Sequence, residues 1–129
     1  MDRLRLYAKK IMKKVTPNNY KKTMSKFTTG VTVVCVKQKN IIFGKTVNSF
    51  NSLSLKPQLV LFSLGNYSSS IKTFLSAKNL SINVLSKNQR NISEHFSKKN
   101  PDTDKINFLN GKANTSIISG CLANLECKV

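Results

Sequence analysis

Two β-branched, apolar runs, "VTVVCV" (31–36) and "IIFG" (41–44), stand on either side of the polar tetrapeptide "KQKN". No other feature limits the fold as much. Branched Cβ atoms pack well on a pleated surface and lose rotamer freedom in a helix, so both runs favour extended backbone. A polar break of this length lets the chain reverse into a hairpin. Later segments extend the same β unit. Pro57 opens "PQLVLFSL", which reads as a strand apolar enough to be buried on both faces or to line a barrel. "LSINVLS" (80–86) alternates Leu80, Ile82 and Val84 against Ser81 and Asn83, and "CLANLECKV" puts Cys121, Ala123, Leu125, Cys127 and Val129 on one side.

Helical spacing appears between these runs. Leu4, Ala8, Ile11, Met12 and Val15 recur among Arg3, Arg5, Lys9, Lys10, Lys13 and Lys14, so residues 1–17 read as a basic amphipathic helix packed on its own domain and broken by Pro17. Asn18 or Asn19 is expected to cap a second helix with Tyr20, Met24 and Phe27 on one face, ended by Gly30. "SSSIKTFLSAKN" reads as a third, presenting Ile71, Phe74 and Leu75. Ser86 and Gln89 have capping-box spacing for a fourth, running through Phe96. From Asn100 to Ser116 the chain is turn-rich and is expected to be a loop with at most a short helical turn. The order of elements implies a mainly β fold: a small antiparallel barrel with helices over its openings. A parallel βαβ fold is the alternative, although no Gly-rich strand-to-helix turn of the nucleotide-binding kind occurs.

What such a domain does is limited first by charge. With 22 Lys and Arg against 5 Asp and Glu the formal net charge is +17, the footprint of a nucleic-acid binder. The lysines, however, are scattered singly and in pairs, and the aromatic-poor N-terminal segment offers no stacking platform. An anionic small molecule needs far less positive field, so neither nucleic acid nor membrane is the expected partner. No apolar run approaches the roughly 20 residues that span a bilayer, and the N-terminus lacks the apolar core of a secretory signal, so a cytoplasmic location is expected. Cys35, Cys121 and Cys127 form no C-x-x-C pair and read as free, mostly buried thiols.

The candidate chemistry is equally restricted. His95 is the only histidine, which removes metal sites built on several imidazoles, and nearly nothing in the sequence supports a Ser-His-Asp or Cys-His arrangement. Asp2, Glu94, Asp102, Asp104 and Glu126 show no pairing suited to acid/base hydrolysis. An enzyme of this composition would rely on a bound cofactor. The stretch "TVNSFNSLSL" (46–55) has no charged side chain, and it interleaves hydroxyls and amides with Val47, Phe50, Leu53 and Leu55. Uncharged donors beside apolar walls suit a flavin ring, whose edge carries carbonyl oxygens and ring nitrogens. Gly65 would allow close backbone approach, and the serines 68–70, at an expected helix start, would suit a phosphate.

The blocks "MSKFTTGVTVVCV", "GKTVNSFNSLSLKPQLVLFSL", "LSINVLSKNQRNISEHF" and "LANLECKV" together resemble the flavin reductase-like family with the FMN-binding split-barrel fold. Its members include the small NAD(P)H:flavin oxidoreductase components of two-component monooxygenases. The resemblance runs from about Tyr20 to Val129 and divides the chain into the basic helix, 1–17, and a split-barrel domain, 18–129. It implies an antiparallel Greek-key barrel with two to four flanking helices, assembled as a homodimer, in which hydride passes from NADH or NADPH to FMN or FAD. Implied flavin contacts are Thr46, Val47, Asn48 and Ser49, with Ser52 and Leu53 close behind. Ser63 and Leu64 would run beside the ring, Tyr67, Ser68 and Ser69 would hold the phosphate, and Phe96 would lie near the flavin tail. No metal site and no catalytic side chain is implied, because the flavin carries the hydride.

Two departures stand out. Lys45 replaces the apolar residue common in the family at that position. The family's blocks beyond "LECKV", including a Gly-Asp-His turn whose histidine is commonly placed near the nicotinamide, have no counterpart, so the chain is expected to lack the last strands and to separate flavin binding from turnover. The rival readings are a flavin-binding protein without reductase turnover and a basic nucleic-acid-binding domain.

Overall fold

The computed structural model describes residues 15–129; residues 1–14, the body of the expected basic helix, lie outside the described residues. In chain order the elements are α1 (Pro17–Met24), β1 (Thr32–Gln38), β2 (Ile41–Val47), β3 (Asn51–Ser54), β4 (Leu59–Leu61), α2 (Ile71–Ser76), β5 (Asn79–Val84), a 3-10 turn (Lys87–Gln89), α3 (Arg90–Phe96), β6 (Phe108–Asn110), β7 (Ser116–Ile118) and β8 (Ala123–Lys128). The main sheet runs β2-β1-β5-β8, and β3-β4 and β6-β7 form separate two-stranded sheets. Every pairing is antiparallel, so the mainly β, antiparallel expectation holds and the parallel alternative is excluded for the described strands.

The first hairpin forms where the two apolar runs require it. β1 and β2 pair from Thr32↔Val47 to Gln38↔Ile41. The reversal is tighter than "KQKN" suggested: Lys37 and Gln38 stay in the strand, and Lys39 and Asn40 turn with φ of 49° and 63°. Two successive left-handed residues match the twist of the flanking strands.

Both faces of the main sheet are covered. Val34, Val36, Val47, Leu80 and Ile82 pack with Phe74 of α2 on one side, joined by Phe43, Phe50, Phe62 and Leu64. On the other, Val33, Cys35 and Leu85 pack with Phe96 of α3 and Ile118 of β7. Burial pushes the Cys35 thiol up to about 12, which leaves it an inert core group.

Because β5 is covered on both faces, its polar side chains cannot face water. Ser81 and Asn83 are 0 % exposed. Ser81 Oγ donates to Ser116 O at 2.6 Å. Asn83 Nδ2 donates to Val33 O at 2.9 Å, while Asn83 Oδ1 accepts from Ile118 N at 2.9 Å and Asn124 Nδ2 at 2.8 Å. One amide thus ties β5 to β1, β7 and β8. The alternation read from the sequence is correct in period; its polar face is buried rather than solvated.

Several expectations need correction. Thr16, not Asn18 or Asn19, caps α1, with its hydroxyl accepting from Asn19 N, and Pro17 sits inside the first turn, where its missing N–H costs nothing. The helix ends at Met24, and Tyr20, Met24 and Phe27 are exposed. "PQLVLFSL" supplies only the strand Leu59–Leu61, paired with β3 alone, so Leu59 and Leu61 are exposed rather than buried on both faces. Leu75 points to solvent while Phe74 is buried. Residues 100–116 are not simply a loop, since they contain β6 and the start of β7. On β8, Leu125 and Cys127 pack against the first cluster, but Cys121 packs against the second and Val129 is exposed. The capping box at Ser86 and Gln89 is formed as expected, and Gln89 Nε2 also reaches Ser119 O at 2.7 Å.

Two expected outcomes follow. Asn83→Leu leaves Val33 O, Ile118 N and the Asn124 amide without their partner, and it is expected to lower unfolding free energy in urea by about 3 kcal/mol or more. An unchanged midpoint would refute the role given to this amide. The second concerns Glu126, whose carboxyl is held below its usual range by the Thr115 hydroxyl and the backbone N–H groups of Ala113 and Lys112. A lowered folded value gives stability that is complete above the ordinary glutamate value of about 4.3 and is lost as pH falls through the folded value. Acid unfolding of Glu126→Gln is therefore expected to show a shallower pH dependence over that interval.

Candidate functional site

The end of β2 carries the uncharged stretch to the surface, where it meets the segment between β4 and α2 and the C-terminal end of α3. Their junction is a cleft of about 940 Å³ lined by residues 45–49, 63–65, 67–69 and 96–97 together with Tyr20 and Lys99. Its volume is in the range of small-molecule sites, about 300–1,000 Å³. Lys45 and Lys99 are its only charged lining residues among those described, and no carboxylate lines it.

Most of the polar groups here hold the walls in place. Thr46 Oγ1 donates to Ser93 O of α3 at 2.7 Å, and Ser97 Oγ donates to the same carbonyl at 2.8 Å. Ser49 Oγ accepts from Ser63 N at 2.8 Å and donates to Ser63 O at 3.3 Å, joining the two loops across the cleft. Asn48 lies between these braces with its side chain exposed. Val47 is buried in the first core cluster, so that wall cannot move without disturbing the sheet.

Gly44 sets the floor. A Cβ at this position would come within 2.5 Å of the Phe96 ring, so only glycine lets β2 lie directly on that side chain. Phe96 is 0 % exposed, and its ring meets His95 and Phe108 edge-on at centroid distances of 5.4 and 6.4 Å. It supports the cleft from beneath, with its ring surface taken up by the core. His95 packs against Phe96 and its Nε2 contacts Asp102 O, and it does not line the cleft.

At the opposite wall, Ser68 N bonds to Gly65 O at 3.0 Å, the Ser68 and Ser70 hydroxyls lie 3.2 Å apart, and Ser69 Oγ donates to Asn100 Oδ1 at 3.0 Å. Tyr67 is 93 % exposed. The residues singled out in the sequence, Thr46, Val47, Asn48, Ser49, Ser63, Leu64, Tyr67, Ser68, Ser69 and Phe96, therefore come together. Ser52 and Leu53 do not, because β3 carries them out of the cleft and leaves Leu53 60 % exposed. Gly65, also singled out, lines the cleft, whereas sequence reasoning missed Tyr20, Ser97 and Lys99. Tyr20 and Lys99 are contributed by segments far from the uncharged stretch, and no local pattern marks them.

Comparison with known proteins identifies the family to which the chain belongs. The flavin reductase like domain matches residues 24–129. FMN reductase (NADH) SmoA of Agrobacterium fabrum is 36% identical over 110 residues, covering 85% of this chain and 63% of the relative. The reductase subunit HsaB of a flavin-dependent monooxygenase from Mycobacterium tuberculosis is 31% identical over 116 residues, covering 89% and 62%. The chain thus spans somewhat less than two thirds of the length of these relatives. Among solved structures, the NADH:FAD oxidoreductase SgcE6 of Streptomyces globisporus, in complex with NAD and FAD fragments, superposes with a TM-score of 0.81 at 30% identity, covering 92% of this chain and 74% of that one.

The close approach of Gly44 to Phe96 gives a direct test. Gly44→Ala is expected to cost about 1–3 kcal/mol in urea unfolding, because the ring must leave its packed position. Gly30→Ala, with no atom within 4 Å of the added carbon, is expected to stay within about 0.5 kcal/mol of the parent. Equal effects of the two changes would contradict this account of the floor.

Proposed function

Because the chain belongs to the flavin reductase-like family, we propose that its cleft binds FMN or FAD and that it is an NAD(P)H:flavin oxidoreductase supplying reduced flavin to a partner monooxygenase. The observation that carries this reading is the lining of the cleft, which is uncharged at residues 46–49 and 63–65 and has Lys45 and Lys99 as its only charged residues among those described. The residues present fit the group. Small polar and apolar side chains face where a neutral ring would lie, no carboxylate opposes a phosphate, and the volume suffices.

When bound, the flavin supplies the redox chemistry, accepting a hydride from NADH or NADPH at N5. The chain's own residues bind and orient. Asn48 offers an amide to the ring edge, Val47 and Leu64 give apolar walls, and the Ser49–Ser63 brace keeps those walls at a set separation. Ser68, Ser69, Lys45 and Lys99 are assigned to the phosphate, where a charge-assisted bond is about twice as strong as a neutral one. Tyr67 lines the cleft with its ring against Gly65. Ser52 and Leu53, being outside the cleft, are assigned no direct contact in this chain. No side chain is needed as nucleophile or general base, which accords with the position of His95 away from the cleft.

The same reading includes a homodimer, supported by the exposed Leu53, Leu55, Leu59 and Leu61 clustered around the β3-β4 hairpin. It includes a monooxygenase partner, supported by the role named for HsaB. It also includes a cytoplasmic location, in keeping with three free thiols; no described helix is long and apolar enough to cross a membrane.

The test is spectroscopic. Purified protein titrated with FMN is expected to quench flavin fluorescence at saturable stoichiometry, and added NADH is expected to bleach the bound flavin. Flavin binding with no NADH oxidation would reduce the protein to a flavin carrier, and absence of flavin binding would remove the proposal. Asn48→Leu is expected to weaken FMN by about 1–2 kcal/mol through lost hydrogen bonding. Raising salt from about 50 to 200 mM is expected to weaken FMN only modestly, whereas a many-phosphate duplex contact would lose on the order of a thousandfold.

A further inference from the structure

Among the described strands β8 has one neighbour. It pairs with β5 from Asn79↔Lys128 to Val84↔Ala123, and the main sheet ends there. Val129 N bonds to Lys78 O at 3.0 Å, so in an antiparallel ladder Leu125, Cys127 and Val129 turn their peptide groups towards β5. Asn124, Glu126 and Lys128 turn theirs outward, to an edge whose donors and acceptors can pair with another strand. Beside that edge a groove of about 590 Å³ lies between β8, α2 and β4, with Phe62, Leu75, Cys127 and Val129 in its lining. Leu61, one of the exposed leucines on the β3-β4 hairpin, lines it as well.

The order of residues along this edge is complementary to itself. Two copies of β8 can pair antiparallel across a two-fold axis in only a few registers. An axis at Glu126 or at Lys128 sets like charges face to face, which destabilises a cross-strand pair. An axis at Leu125 sets Glu126 against Asn124 and Lys128 against Leu122. An axis at Cys127 sets Glu126 opposite Lys128 twice, Leu125 opposite Val129 twice, and the two Cys127 side chains against each other. This register also joins outward-facing peptide groups to outward-facing ones. Glu126 has a free acceptor position for the incoming ammonium. A carboxylate offers about four, and three are used by Lys112 N, Ala113 N and the Thr115 hydroxyl. Lys128 has no ion pair among the described residues.

We propose that a second copy of this chain adds its β8 to this edge in the register centred on Cys127, joining the two main sheets into one and setting both apolar grooves on the same face. This rests on the homodimer reading above and names its seam. Sedimentation equilibrium is expected to show a dimer. Mild oxidation with diamide is expected to lock that dimer through Cys127, because opposed residues at a non-hydrogen-bonded position stand about 4.5 Å apart at Cα, within the span of a disulfide. Cys127→Ser is expected to abolish the covalent dimer, and Cys121→Ser to leave it. Lys128→Glu turns both opposite-charge pairs into like-charge ones and is expected to raise the dimer dissociation constant about tenfold. FMN binding is expected to stay unchanged in that variant, since Lys128 does not line the cleft. A dimer that forms no Cys127 disulfide, or that is as tight with Lys128→Glu as without it, overturns this seam and leaves the homodimer to another surface. A parent chain that sediments only as a monomer removes the homodimer reading and the seam together.

Discussion

Asn83 has no contact with water and stands on the central strand, so every polar atom of its amide must find a partner inside the protein. A buried amide without partners costs several kcal/mol, whereas one that is fully bonded fixes the positions of the groups it touches. Its partners are backbone groups of Val33 and Ile118 and the side chain of Asn124. Apolar packing alone would tolerate a small slide of β7 across the sheet. These directional bonds do not. With β7 held in place, the second core cluster closes around Phe96 and Ile118, and α3 is fixed at the height that brings Phe96 under Gly44.

That chain of contacts explains why the cleft occurs where it does. Its floor belongs to the core, and its nearer wall is β2, bonded to α3 through Thr46. The farther wall is joined to it by the single hydroxyl of Ser49. Serine and threonine therefore serve two purposes in the uncharged stretch: Thr46 and Ser49 are used up as braces, and Asn48 remains available. A site whose walls are held by its own hydrogen bonds loses less entropy when a ligand enters, since fewer side chains must be ordered at that moment.

Much of this was readable in the sequence because period and turn chemistry are local. The β1-β2 hairpin, β5 and the Ser86 capping box each follow from residues within a few positions of one another. The main cleft was legible because the uncharged stretch is contiguous and the family blocks fall on it in order. What escaped was what depends on distant partners. β6 and β7 have three residues each, too few for a period, and β7 is held by side chains of β5 more than thirty positions earlier. The same holds for Ser52 and Leu53, which follow the stretch in sequence but leave it in space when β3 turns to pair with β4. Lys99 and Tyr20 are surface residues whose proximity to the cleft is set only by how α3 and α1 dock.

The strong basic charge and the uncharged stretch are two halves of one electrostatic arrangement. A net charge of +17 raises the potential everywhere around the molecule and speeds the arrival of any anion, without selecting among them. Selection requires a difference between one end of the site and the other. A lysine buried against a neutral ring would lose hydration and gain no counter-charge, so the ring wall must exclude it. At the edge, where water still reaches, an ammonium keeps most of its hydration and pairs with a phosphate as it arrives. The cleft has this division, with residues 46–49 uncharged and Lys45 immediately before them. Under the proposed flavin assignment, the single step in sequence from Lys45 to Thr46 would mark the boundary between the part of a ligand that is recognised by shape and hydrogen bonding and the part recognised by charge.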